Sequence, residues 1–166
     1  MPPTEPELEV HRALLTLTSA NVRFIVIGGV AAVLQGAPVG TFDLDVVHSR
    51  EPENITRLVD ALAALHSFYR EHPATRPAPQ ADLLAGAGHH LLMTDAGPVD
   101  ILGQVTGGSR YEELIGHSIE VELDDGIRIH VLSLRELIRL KALLGRDKDQ
   151  AMLAILRRTL EERSRG

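Results

Sequence analysis

The sequence predicts an α+β fold, a mixed β-sheet flanked by helices and closed by C-terminal helices. Three observations carry this. Apolar strand-like runs alternate with amphipathic stretches. Two turn sequences, Asp95-Ala96-Gly97-Pro98 and Asp124-Asp125-Gly126, each join a pair of such runs. Helical periodicity stands before, between and after the strands. The same pattern also admits an irregular α/β arrangement. At 166 residues the chain suits one domain with a sizeable core. We assign that domain to residues 1–166, with a sheet-bearing core over about 22–132 and a helical pair over about 133–162.

The elements follow in order. Residues 5–18 place Leu8, Ala13, Leu14 and Leu17 at near-helical spacing, and Asn21 is a natural stop. Residues 22–27 read as a buried strand. Gly28 and Gly29 follow, and residues 30–35 suit a short helix ending at Gly36, where glycine can take the left-handed conformation. Residues 41–48 read as a second strand. Residues 53–66 form an amphipathic helix with Ile55, Leu58, Val59, Leu62 and Leu65 on one face.

Pro73, Pro77 and Pro79 break any regular pattern over residues 67–88, which read as a long irregular connection holding one short strand or helical turn. Loops of that length are often lids or binding edges. Residues 90–94 and 99–105 flank the first turn sequence, and residues 118–123 and 127–132 flank the second; residues 111–115 make one helical turn between them. Ser133 is a good N-cap, with Glu136 completing a capping-box pattern, and the helix over 134–144 stops at Gly145. A last amphipathic helix covers 148–162, and its leucines could pack internally or across a homodimer.

Composition narrows the function. Apolar residues are 44% and charged residues 24%, ordinary for a globular protein, and no apolar run approaches a membrane span. The acidic, proline-containing start is unlike a signal peptide, so a cytoplasmic location is the default expectation. The absence of cysteine removes disulfides and thiolate metal sites. A net charge of −6 argues against a large nucleic-acid footprint. Two tyrosines and three phenylalanines are too few for a base-stacking platform.

The informative stretch is Ile25-Val26-Ile27-Gly28-Gly29 followed by Asp43-Leu44-Asp45-Val46-Val47. Acids weaken an apolar strand, so two of them need a reason. Residues i and i+2 of a strand face the same way, which sets Asp43 and Asp45 side by side, roughly 6–7 Å apart at their Cα atoms. Asp100 sits in a matching apolar context, Pro98-Val99-Asp100-Ile101-Leu102. Each acid alone could cap a turn or pair with a basic residue. Three together beside a glycine pair point to divalent cations, since magnesium prefers hard carboxylate oxygens. Glycines between a strand and a helix let phosphate approach backbone N–H groups.

These residues resemble the DNA polymerase beta-like nucleotidyltransferase superfamily. The string from Gly28-Gly29 through Gly36-Ala37-Pro38 to Thr41-Phe42-Asp43-Leu44-Asp45 is similar to its small stand-alone members, of the abortive-infection and toxin–antitoxin type. Lys141 and Gly145-Arg146-Asp147-Lys148-Asp149 look like their helical Lys…Gly-Arg-x-Lys-Asp element. The resemblance covers about residues 22–156, with the proline-rich middle matching least.

The resemblance implies a mixed-sheet nucleotidyltransferase core and an NTP substrate. It implies two Mg2+ ions, with Mn2+ the alternative, held by Asp43, Asp45 and Asp100, and Asp100 would also activate an acceptor hydroxyl. Gly28, Gly29 and Thr41 would lie on the nucleotide side. The acceptor is open: small molecule, protein or tRNA end. Two departures stand out. Relatives often carry serine where this chain has Gly29, and arginine where it has Val39. Lys141 is the candidate replacement for that charge, against the plainer reading that it pairs with Asp149. Arg146 and Asp149 read as structural. The alternative function is a catalytically weak or inactive nucleotide-binding or regulatory protein on the same fold.

Other candidates are weaker. Among eight histidines, His89 and His90 are adjacent and point to opposite strand faces, so they share no metal easily. His48 falls on the face opposite Asp45 by parity. These histidines read as surface or strand-end residues. Gly86-x-Gly88 lacks a preceding strand, and no Walker lysine motif, Gly-x-Ser-x-Gly or His-Glu-x-x-His occurs.

Overall fold

The computed structural model describes residues 7–165. Among these, seven strands form one mixed sheet, with β1 Phe24–Ile27, β2 Leu44–His48, β3 Phe68–Tyr69, β4 His89–Thr94, β5 Gly97–Leu102, β6 Ser118–Glu122 and β7 Arg128–Leu132 in the spatial order β3-β4-β5-β2-β1-β7-β6. Parallel pairs β2/β5 and β1/β7 sit among antiparallel ones. The predicted α+β class therefore holds.

Among the described residues seven α-helices flank it, α1 Val10–Ser19, α2 Gly28–Leu34, α3 Pro52–Ala64, α4 Ala81–Leu84, α5 Tyr111–Leu114, α6 Leu134–Leu144 and α7 Asp147–Arg165, with a 3-10 turn at Ile115–His117. One sheet face carries α1, α3 and α4, with α3 in contact with each of the other two; α2, α6 and α7 cover part of the other. The central strands supply a dry core of Ile25, Val26, Leu44, Val46, Val47 and Ile101, none more than 1% exposed. Each such side chain contributes about 1.5–3 kcal/mol by leaving water.

Several boundaries differ from expectation. The first helix starts at Val10, not at residue 5, because residues 7–9 form no regular structure and Glu9 N–H bonds Ala96 O at 2.8 Å; residues 5–6 lie outside the described residues. The helix expected over 30–35 begins at Gly28, so the glycine pair forms its first turn. The second strand begins at Leu44 rather than residue 41, since Thr41 Oγ1 donates to Asp43 O at 3.0 Å and holds the preceding segment in a bend. The strand expected to reach residue 105 stops at Leu102. The connection over 67–88 carries both a short strand, β3, and a helical turn, α4.

Helix α6 matches its expected bounds, and Ser133 Oγ accepts from Glu136 N–H at 3.3 Å. The reverse bond of a full capping box is replaced: Glu136 turns its carboxylate to Arg139, and Ser133 N–H bonds His117 O instead. Gly145 ends the helix in the left-handed region, at φ 61°. No helix among the described residues is long and apolar enough to cross a membrane.

Candidate metal and nucleotide site

Strand register brings the acids together. Ile27 pairs with Asp45 across β1/β2, Asp45 with Asp100 across β2/β5, and Asp100 with Leu91 across β4/β5. Residues in one such row share a face, so Asp45 and Asp100 project side by side. Asp43 lies just before β2, outside the strand on which parity placed it, yet its carboxylate joins them. One carboxylate oxygen from each of Asp43, Asp45 and Asp100 lies within 4.8 Å of the others.

So close a set of acids repels itself. Burial, followed by the charges of Asp43 and Asp100, pushes the Asp45 carboxyl up to about 8. Burial and the neighbouring Asp100 also raise Asp43. Two cations bear on the cluster: Arg70 lowers Asp43, and Lys141 lowers Asp45, neither enough to reverse the shift.

The residues fit a divalent cation on their donor chemistry, three hard oxygens short of positive charge. They also fit on space. Gly28 takes φ +67°, and a Cβ there would stand 2.4 Å from Asp45 Oδ2. A side chain at 28 would thus be strained and would fill the room beside the carboxylate. At Gly29 a Cβ would come within 3.1 Å of Thr41 Oγ1, so Gly28, Gly29 and Thr41 all lie on one margin of the acids.

Lys141, from α6, lies on that same margin. An apolar cavity of about 130 Å³ opens beside it and Gly28, lined also by Ile27, Leu102, Leu137 and Leu140. Larger hollows exist, such as one of about 410 Å³ between Arg50 and Arg110, but they lie away from the carboxylates. Lys141 Nζ is bonded at 3.2 Å to Asp149 Oδ1, and Arg146 Nε bonds Asp149 Oδ2 at 2.7 Å. Asp149 thereby fixes the turn between α6 and α7.

Arg70 escaped the sequence reading. It follows β3, where its N–H bonds Leu91 O at 3.1 Å, and its Nη1 stands 2.7 Å from Asp100 Oδ1. Nothing local marks a lone arginine after Phe68-Tyr69; only the pairing of β3 with β4 does.

The histidines do stand at strand ends, His48 closing β2 and an exposed His89 opening β4, but His48 and His90 are not at the surface. His48 is on the face away from Asp45, as parity requires, but it is fully buried, and its Nε2 meets Leu84 O at 2.8 Å. His90 is buried too, with Nδ1 2.7 Å from the Tyr69 hydroxyl. Both fell short of the surface because α4 covers the ends of β2 and β4. Burial is the largest influence on each and lowers its proton affinity, which favours the neutral ring.

No protein-family model matches this chain, and no curated protein matches it. Among solved structures it is similar to that of a putative nucleotidyltransferase from Thermotoga maritima, at 20% sequence identity over 92% of this chain and 91% of that one. The TM-score is 0.56. The chain therefore has a nucleotidyltransferase-like fold.

Proposed function

We propose that this protein is a magnesium-dependent nucleotidyltransferase that moves a nucleoside monophosphate from an NTP to an acceptor hydroxyl and releases pyrophosphate. The observation that carries this reading is the convergence of Asp43, Asp45 and Asp100, each with a carboxylate oxygen within 4.8 Å of the others, on a nucleotidyltransferase-like fold. Their oxygens would hold two Mg2+ ions, with Mn2+ able to substitute. Bound there, the ions would neutralise the triphosphate and make the acceptor hydroxyl more acidic.

The chain's own residues supply the rest. Gly28 and Gly29 leave backbone open to the triphosphate. Thr41, by bonding Asp43 O, holds the acid in place. Lys141 carries a positive charge beside Asp45 and would turn from Asp149 to a phosphate oxygen. The apolar cavity next to Gly28 would take the ribose or base. The acceptor oxygen bonds the α-phosphorus as the bond to the bridging oxygen breaks, its electron pair leaving with pyrophosphate. The acceptor's proton passes to the Asp100 carboxylate.

A second reading, a weakly active or inactive nucleotide-binding regulator, draws on one observation, the engagement of Lys141 with Asp149. Incubation with α-labelled NTPs, Mg2+ and pooled small-molecule, protein and tRNA acceptors separates the two. The transferase reading expects label on an acceptor, and a fall of about three orders of magnitude in Asp43→Asn, since a metal ligand supplies several kcal/mol to the transition state. Equal labelling by the variant sinks it.

A further inference from the structure

Arg70 belongs to none of the motifs that define the site, yet register sets it in the row of the acids. Tyr69 pairs with Leu92 across β3/β4, so Arg70 falls opposite Leu91, and Leu91 pairs with Asp100. The row therefore runs from Arg70, just past β3, through Leu91, Asp100, Asp45 and Ile27 on four strands, and the guanidinium reaches across Leu91 to the third acid.

The two oxygens of Asp100 differ. Oδ1 is shielded from solvent and has no hydrogen-bond donor in good geometry among the described residues. What it has is the charge of Arg70 Nη1 at 2.7 Å. That same nitrogen donates to Leu92 O at 3.2 Å, and the Arg70 N–H is tied to Leu91 O. The arginine is thus fixed to β4 at two points, with its side chain 27% exposed against 12% for that of Asp100. One oxygen of Asp100 lies within 4.8 Å of an oxygen from each of Asp43 and Asp45, and a guanidinium pinned in this way against Oδ1 would leave Oδ2 to take that place.

We propose that Arg70 is a positioning residue for Asp100: it grips the buried Oδ1 so that the remaining oxygen stays turned toward the cation seat formed with Asp43 and Asp45. The inference rests on the reading of the three acids as a cation site. Groups that orient a metal ligand from behind typically account for 10–100-fold in metal affinity. Without the guanidinium, Oδ1 would be a buried charge with no partner, and the carboxylate would rotate toward water.

The test is a titration with Mn2+ alone, followed by the loss of the free-ion electron paramagnetic resonance signal, on the wild type and on Arg70→Met, Arg70→Lys and Asp45→Asn. Circular dichroism checks that each is folded. The expected result is Mn2+ binding weakened about 10–100-fold in Arg70→Met, with Arg70→Lys between it and the wild type because the charge returns without the fork. Binding in Arg70→Met as tight as the wild type, or tighter, overturns the proposal; tighter binding would make Arg70 a competitor of the cation. If Arg70→Met does not fold, Arg70→Lys decides, and wild-type affinity there overturns it. Failure of the underlying reading looks different: Asp45→Asn would then bind Mn2+ as the wild type does, or the wild type would bind none, and the proposal would fall with it.

Discussion

Two groups of charge lie on either side of Lys141, and they are opposites. At one, three carboxylates share the nearby charge of Arg70 and a more distant Lys141. At the other, a single carboxylate, Asp149, takes both Lys141 at 3.2 Å and Arg146 at 2.7 Å. Burial and mutual repulsion raise Asp45 to about 8, whereas the bond from Arg146, with help from Lys141, holds Asp149 below the usual carboxylate range. A saturated acid ties helices together. An unsaturated set leaves charge that a cation could neutralise, and strongly perturbed acids of this kind are candidates for functional sites.

The largest effect that would break this comparison comes from Asp45→Asn. Removing one acid should cost about three orders of magnitude in nucleotidyl transfer, the scale of several kcal/mol of lost charge stabilisation. The same change should raise the melting temperature of the metal-free protein at pH 8, because it relieves repulsion among closely set carboxylates. Thermal melts in chelator measure this directly. A metal-free Asp45→Asn that melts lower than the wild type would mean that the acids are structurally satisfied, as Asp149 is.

Asp149→Asn should do the reverse. It removes the partner of Lys141 and Arg146, so the α6–α7 turn loosens and the melting temperature falls by a few degrees. Mn2+ affinity should not weaken, since no acid of the cluster is touched. A loss of Mn2+ binding equal to that of Asp45→Asn would show that the two groups form one unit and would dissolve the contrast. Both observables come from one preparation, a melt and a titration.

The sequence made one of these groups more legible than the other. Asp45 and Asp100 stood out because an acid inside an apolar strand is conspicuous, and period-2 parity correctly sent His48 to the other face. Helix α6 was legible to the residue, since Ser133, the apolar periodicity and Gly145 are all local signals. Parity alone misplaced the reason for Asp43: it stands before the strand and reaches the others through a bend held by Thr41. Arg70 and the burial of His48 and His90 were invisible for a common cause. Each depends on what β3 and α4 do inside the proline-rich stretch, and proline breaks the periodicity from which such placements are read.

The most discriminating effect is in pH. Asp45 has a folded value near 8 against an ordinary 3.8. Between those values the unfolded chain has released the proton that the folded chain still holds, so the metal-free protein loses stability as pH rises across that window. Asp149 is shifted the other way, so its contribution is present above the ordinary carboxylate range and fades as pH falls. Melting temperature in chelator should therefore decline from pH 5 to pH 8 more steeply for the wild type than for Asp45→Asn. Adding Mg2+ or Mn2+ should stabilise the wild type more at pH 8 than at pH 5, because the cation takes the place of a proton that must first leave. Parallel curves for the two proteins, or a metal-induced shift independent of pH, would show that Asp45 is no more burdened than an ordinary surface acid.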